Sequence, residues 1–309
     1  MPKQKFALAV DLGATNIRVA VVNADGKILA HERAATPHEG KSSRVVVDRI
    51  IEMAKRVLEK NKTYGKIAGV GIASCGPLDY KKGGANPANL PFDFIPLIEP
   101  LKQAFHVPTV LHNDANAAAL GEWRFGVGRG KQNIVYVTLS TGIGAGVIVD
   151  GHVLFGATGN AAEVGHMTVD TTYNFPCGCG RGVGHWEGYC SGKNMPKFFE
   201  HWKKRENKKI DFSARTTKHI FAAAKQKNPV ALEFLDVIHR MNARAISNIL
   251  VAYDPELITI GGSVAHHNGA VILAGIKKYT EHYLKVPPLH ITKLGEDIAL
   301  LGATAAILK

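Results

Sequence analysis

Two α/β domains built on one plan, a duplicated βββαβαβα core with a cleft between its halves, are what the sequence predicts. Three observations carry this expectation. Strand and helix patterns alternate along 309 residues, as sheets flanked by helices require. A strand, a small-residue turn, a second strand, an Asp-Gly turn and a third strand are written twice, once from Phe6 and once from Val135, which marks an internal duplication. A hydrophobic content of 46% is ample for a sizeable core.

In the first copy FALAV (6–10) is an apolar run that stops at Asp11-Leu12-Gly13-Ala14-Thr15-Asn16, and IRVAVV (17–22) reads as the next strand. Asn23-Ala24-Asp25-Gly26 is a hairpin turn, with Asp-Gly where positive φ is tolerated. A helical pattern near 43–60 follows, then a strand at 67–73, a Gly-Pro turn, a helix near 95–105, a strand at 108–112 and a helix from 114. The second copy runs VYVTL, Ser140-Thr141-Gly142-Ile143-Gly144-Ala145-Gly146, VIV, Asp150-Gly151 and HVL. Glycine-rich loops continue to about 190; helices are expected near 193–205, 214–226, 229–252, 269–284 and 298–308, with a strand in ELITIGGS. The domain boundary is expected near 121, giving segments 1–121 and 122–297, and no proline-rich linker separates them, so the expected joint is a hinge through short loops.

The charge of +12, from 38 basic and 26 acidic residues, is scattered except for the run Lys203 to Lys209. That run reads as a solvated helix end, so nucleic acid is not an expected partner, whereas a basic surface suits anionic phosphates. No apolar run approaches the roughly 20 residues of a membrane span, and MPKQKFALAVDLG has no cleavage signal. A cytoplasmic protein with no membrane partner is expected. Four cysteines, three of them between 177 and 190, describe a local site rather than a disulfide framework.

The turns between strands carry the candidate chemistry. Glycine lets a backbone approach a ligand closely, and phosphate oxygens need N–H and hydroxyl donors. Asp11, Gly13, Thr15 and Asn16 supply such a turn in the first half, Thr141 and Gly142 in the second, and Gly261-Gly262-Ser263 precedes a helix, where an N-terminus favours an anion. Asp11 reads either as a turn cap or as a carboxylate that holds Mg²⁺ opposite nucleotide phosphates. A Walker GK[ST] loop and a strand-turn-helix G-x-G-x-x-G are both missing. Asp114 reads as an N-cap for a helix beginning at Ala115. In CGCGRGVGHWEGYCSG (177–192) a redox pair competes with a metal site; the single residue between the leading thiols differs from the usual C-x-x-C spacing, while a tight cysteine pair suits zinc.

Taken together, DLGATN (11–16), STGIGAG (140–146), NDANAAALGE (113–122), AEVGHMTV (162–169) and CGCG with G-H-x-E (177–187) resemble the motifs of the ROK family of sugar kinases and repressors, within the two-domain actin-like (ribonuclease H-like) ATPase fold. The order and rough spacing agree from residue 6 to the C-terminus. The resemblance implies an ATP-dependent, Mg²⁺-requiring kinase of a small-molecule sugar with Asp114 as base and ATP in the cleft between the domains. It implies sugar-binding roles for Asn89, Asn113, Glu163, His166 and Glu187, a C-terminal helix 298–309 that returns to the first domain, and a homodimer. Glucose, phosphorylated on its 6-hydroxyl, is the default substrate, with N-acetylglucosamine or N-acetylmannosamine as alternatives. A sugar-responsive repressor is disfavoured, because the first strand starts at Phe6 and leaves no room for a helix-turn-helix.

Three departures from the family pattern stand out. Ala14 replaces a glycine, mild if its φ is negative. Asn16 replaces the usual lysine, for which Arg18 is a candidate substitute. In the cysteine motif His185 stands where the third cysteine is expected, one residue late. We therefore expect a structural zinc on His166, Cys177, Cys179 and His185, with Cys190 as the rival fourth ligand, and Cys75 as a small buried residue.

Overall fold

The structure is a computed structural model that describes residues 6–308 other than 41, 64 and 88; the basic start before Phe6 lies outside the described residues. Its contacts divide the chain into two units, Met1–Lys131 with His152–Ala161 and Lys293–Lys309, and Gln132–Gly151 with Ala162–Thr292.

In the first unit, β1 (Phe6–Leu12), β2 (Asn16–Asn23) and β3 (Ile28–Ala35) form an antiparallel meander, and β4 (Ile67–Ser74) and β8 (Thr109–Asn113) extend it on the other side of β1. β1 and β4 run parallel, as do β4 and β8. β1 is covered on both faces, which is why FALAV reads as a continuous apolar run rather than an alternation. α1 (Arg44–Lys60) buries Val46, Val47, Ile50, Met53, Ala54, Val57 and Leu58, the stripe of an amphipathic helix. A small sheet of β5 (Leu78–Asp79), β6 (Gly84–Ala85) and β7 (Ile95–Pro96) lies in the stretch read as turn and helix start. The helix expected from about 95 accordingly begins later, as α2 (Ile98–Phe105), since Ile95 and Pro96 pair with β6. α3 (Asp114–Phe125) and α9 (Ile298–Ile307) share a small-residue core with β1, β2 and β4, containing Ala9, Ala20, Ala73, Ala117 and Ala303.

The second unit repeats the plan. β9 (Ile134–Leu139) pairs antiparallel with β10 (Ile143–Val149) and parallel with β12 (Leu257–Gly261), which pairs parallel with β13 (Leu289–Ile291). β11 (His152–Val153), which follows β10 after the Asp150-Gly151 turn, lies in the stretch 152–161 that groups with the first unit. The strand orders β2-β1-β4-β8 and β10-β9-β12-β13 are thus the same. Between β11 and β12 the chain inserts a 3-10 turn (Val164–His166), α4 (Trp186–Cys190), α5 (Met195–Arg205), α6 (Thr217–Lys225) and α7 (Pro229–Tyr253). Asn228 caps α7 by accepting the Val230 and Ala231 N–H groups, with Pro229 at the first helical position.

One helix differs from the expected range. The pattern placed at 269–284 is α8 (Ser263–Tyr279), which starts directly after Gly262 and is locally non-helical at Asn268 (φ −131°, ψ 18°). The polar run His266-His267-Asn268 masked the apolar residues Val264 and Ala265, which are buried with Ile272 and Ile276. Among the described residues no helix is long and apolar enough to cross a membrane.

Candidate active site

Parallel pairing decides which residues meet in the first unit. Leu12 lies opposite Ser74, and Ser74 opposite Asn113, so the carboxyl ends of β1, β4 and β8 share one edge of the sheet. In open α/β sheets that edge is where ligands bind. It carries the Asp11–Asn16 turn, Cys75 and the Asn113-Asp114 pair; the Cys75 amide donates to the Leu12 carbonyl at 3.0 Å. Burial pushes the Cys75 thiol up to about 12, and the neighbouring Asp114 and Asp11 carboxylates add to the rise.

The first turn is closed by the Gly13 N–H donating to the Asn16 carbonyl (3.0 Å). The chain after β3 braces it: Thr36 Oγ1 donates to the Gly13 carbonyl (2.7 Å), the Thr36 N–H to Thr15 (2.9 Å), and His38 Nε2 lies 2.9 Å from the Ala14 carbonyl. Ala14 is not among the residues with positive φ, so alanine is tolerated there without strain. Asp11 faces Arg18 across the β1–β2 ladder, and Arg18 Nε and Nη2 both donate to its Oδ2, at 2.8 and 2.6 Å. Burial raises the Asp11 pKa, with Arg18 opposing and Asp297 adding to it. Arg18, expected from sequence as a candidate substitute for the phosphate-loop lysine, thus has two of its donors on Asp11.

Asp114 is the first residue of α3, and its Oδ1 accepts the Ala115 N–H at 2.8 Å. The N-cap position, read from sequence as Asp114, belongs to Asn113: its backbone is extended (φ −61°, ψ 148°) and its Oδ1 accepts the same N–H at 2.9 Å. Both side chains therefore stand at a helix N-terminus, a favourable place for negative charge. Asn89, exposed between β6 and β7, is not joined to this group by any hydrogen bond among the described residues. His112, just before Asn113, is buried and stacked on Phe155 with centroids 5.5 Å apart.

In the second unit the turns after β9 and β12 converge for the same reason of parallel pairing. Gly261 lies opposite Thr138, and Ser140 Oγ is 3.2 Å from Ser263 Oγ. Gly262 caps α8 with φ 88°, and a Cβ there would come within 2.5 Å of the Leu139 carbonyl, so glycine is required on both counts. The Gly192 and Lys193 N–H groups donate to the Ser140 and Thr141 carbonyls (2.7 and 3.2 Å). Lys193 and Ser263 are thereby added to Thr141, Gly142, Gly261 and Gly262. A cavity of about 760 Å³ lined by Pro196, Lys197, Glu200, Ser213, Ala214 and Arg215 opens along α5, the helix that follows Lys193.

Glu187, the second residue of α4, accepts the Ile143 N–H on Oε2 at 2.9 Å, and a Cβ on Gly142 would lie 2.7 Å from the same oxygen. Gly142 thus makes room for a carboxylate as well as forming a turn. Glu163 precedes the 3-10 turn that ends in His166; desolvation by the surrounding protein raises its pKa, with His166 opposing and Glu187 reinforcing.

His166, Cys177, Cys179 and His185 present one ligand atom each, all within 4.8 Å of one another. Cys177 Sγ is 4.0 Å from His166 Nδ1, and Cys179 Sγ is 3.7 Å from His185 Nδ1. Tetrahedral zinc with bonds of about 2.0–2.3 Å spaces its ligands about 3.3–3.8 Å apart, so small side-chain shifts would close the set. Backbone bridges Thr168–His185 and Pro176–Val183 hold the loops together. Burial lowers the His185 pKa, with His166 adding to the shift, and neutral imidazole is the form that binds a metal. Cys190 is buried elsewhere in α4, with its thiol 3.8 Å from the Ile238 carbonyl.

Comparison with known proteins places the chain among sugar kinases of one family. The profile that describes the ROK family matches residues 7–309. The chain is 36% identical over 305 residues to a glucokinase of Pyrobaculum calidifontis, covering 98% of this chain and 95% of that one. Its fold is similar to the ROK hexokinase from Thermus thermophilus (TM-score 0.82, 29% identity, covering 98% of this chain and 97% of that one). It is also similar to a ROK family glucokinase from Streptomyces griseus in complex with glucose and AMPPNP (TM-score 0.76, 29% identity, 98% and 99%).

Proposed function

The chain belongs to the ROK family, and on that footing we propose that it is an ATP-dependent hexose kinase in which Asp114 is the general base toward the 6-hydroxyl of glucose. The observation that carries this reading is the shared strand edge of the first unit, where parallel pairing aligns the Asp11 turn with Asn113 and Asp114. A sugar hydroxyl is a weak nucleophile, and its proton must leave as it attacks the γ-phosphoryl group. The Asp114 carboxylate would accept that proton and pass it to water after transfer. Asn113, Glu163, His166 and Glu187 are the proposed hydroxyl partners of the sugar, and their mixed donors and acceptors penalise a wrong epimer by leaving buried polar groups unpaired. Asn89 is kept as a proposed contact from the family motif alone.

For ATP, the proposed phosphate contacts are Gly13, Thr15 and Asn16 from the first unit and Thr141, Gly142, Gly261 and Gly262 from the second. The N-terminus of α8 supplies N–H groups for an anion, and the cavity along α5 is large enough for the adenosine end. Asp11 offers the oxygen donor that a hard cation prefers and would hold Mg²⁺, which when bound neutralises phosphate charge. His166, Cys177, Cys179 and His185 would hold a structural zinc, whose part is to tie the Glu163 loop to the loop bearing Glu187. The choice of His185 rather than Cys190 rests on the four-atom cluster and on the burial of Cys190 apart from it.

ADP release measured with glucose, other hexoses, N-acetylglucosamine and N-acetylmannosamine tests the assignment. Glucose is expected to give the highest kcat/KM; no sugar-dependent ADP from any of them would refute a kinase, and preference for an N-acetylhexosamine would reassign the substrate. Asp114→Asn should lower turnover by about 10²–10⁴-fold while glucose binding persists in calorimetry. Retained turnover would remove Asp114 from its role.

A further inference from the structure

Arg18, a candidate substitute for the phosphate-loop lysine, has specific surroundings. Two of its donors converge on one oxygen of Asp11, Nε at 2.8 Å and Nη2 at 2.6 Å from Oδ2, so neither hydrogen bond engages Oδ1. The two side chains are only 19% and 13% exposed, so this is not a loose surface pair. The remaining arm, Nη1, is 3.6 Å from Asp297 Oδ1, which is 56% exposed at the residue before α9. On β3, Arg33 lies opposite Arg18 in register but pairs outward with Glu296 at 3.9 Å. Cys75, which also feels the Asp114 carboxylate, is a further titratable neighbour of Asp11. Position 16 carries an asparagine, and Arg18, two residues further along β2, lies on the same face of the strand, about 7 Å away. Among these groups Arg18 is the cation bound to Asp11.

We propose that Arg18 is the positioning residue of the first phosphate turn: its two-donor hold on Oδ2 fixes the Asp11 carboxylate so that Oδ1 is the oxygen presented to the cation of a metal–nucleotide. This rests on the reading of Asp11 as the Mg²⁺ ligand. The physical basis is that a planar guanidinium fixes direction as well as charge, whereas an ammonium supplies charge alone. A carboxylate free to rotate would divide its time between orientations, and loss of an outer hydrogen bond to a metal ligand commonly costs about 10–100-fold in metal affinity.

The test is equilibrium binding of AMPPNP, with and without Mg²⁺, to wild type, Arg18→Met, Arg18→Lys, Asp297→Asn, Asp11→Asn and the Arg18→Met/Asp11→Asn double variant. Arg18→Met is expected to weaken binding about tenfold or more in Mg²⁺ and to leave metal-free binding within about twofold. Arg18→Lys should recover part of the loss, and it carries the test if Arg18→Met does not fold. The double variant should be no weaker than Asp11→Asn alone, because Arg18 acts through Asp11. Asp297→Asn should bind like wild type; if it reproduced Arg18→Met, Arg18 would serve only to tie β2 to the start of α9, and the proposal would fall. Equal losses with and without Mg²⁺ would make Arg18 a direct phosphate contact instead and also overturn it. Wild type that binds AMPPNP without any Mg²⁺ dependence would refute the reading of Asp11 itself, a result separable from an Arg18 variant that matches a Mg²⁺-dependent wild type.

Discussion

At the scale of single residues, His112 makes the clearest prediction. It is 7% exposed, its Nδ1 has no hydrogen-bond partner among the described residues, and burial lowers its pKa from 6.5 to about 4. The folded chain therefore binds this proton less tightly than the unfolded chain, and the neutral form is the one that fits. The contribution is whole above pH 6.5 and is lost as pH falls from 6.5 toward 4, amounting to about 3 kcal/mol if the full shift is realised. Thermal melting from pH 7 to 4.5 should show this fall, and His112→Leu should flatten it; an unchanged pH dependence in that variant would exclude His112 as its source. The same scale holds the Asn113 and Asp114 correction. N-D before an apolar helix announces a cap, but which of the two residues leaves the helical backbone depends on where β8 stops.

At the scale of elements, α3 and α9 approach so closely that a Cβ at Gly302 would overlap the Ala117 carbonyl, and one at Gly121 would lie 2.7 Å from the Ile298 carbonyl. Neither carbonyl is on a flexible side chain, so the helices would have to separate. Gly302→Ala is expected to cost about 2–3 kcal/mol and lower the melting temperature by about 5 °C or more; a melting temperature within a degree of wild type would mean the helices slide apart freely. The loops around His166, Cys177, Cys179 and His185 are elements with little core of their own. Metal analysis should find about one zinc per chain in wild type and in Cys190→Ala, and far less in His185→Ala. The reverse pattern would move the fourth ligand to Cys190.

At the scale of the whole molecule, the duplication was legible because period-two strands, Asp-Gly turns and small-residue turns are local patterns, and both copies carry them. The candidate residues were legible where a motif placed them beside a strand end, as with Asp11, Asp114, Thr141 and Gly142. Composition and pattern could not reveal the β5–β7 sheet, whose strands are two residues each, nor the true start of α8 behind its polar first turn. Sequence alone was sufficient for two α/β repeats, their small-residue turns and the glycine-rich segment that carries Cys177, Cys179 and His185, since each of these is written in neighbouring residues. The hold of Arg18 on one oxygen of Asp11, the Glu187 carboxylate against Gly142 and the contact of Gly302 with Ala117 came only with the folded chain. Each joins residues distant in sequence through strand pairing or helix packing, and no local pattern encodes such a distance.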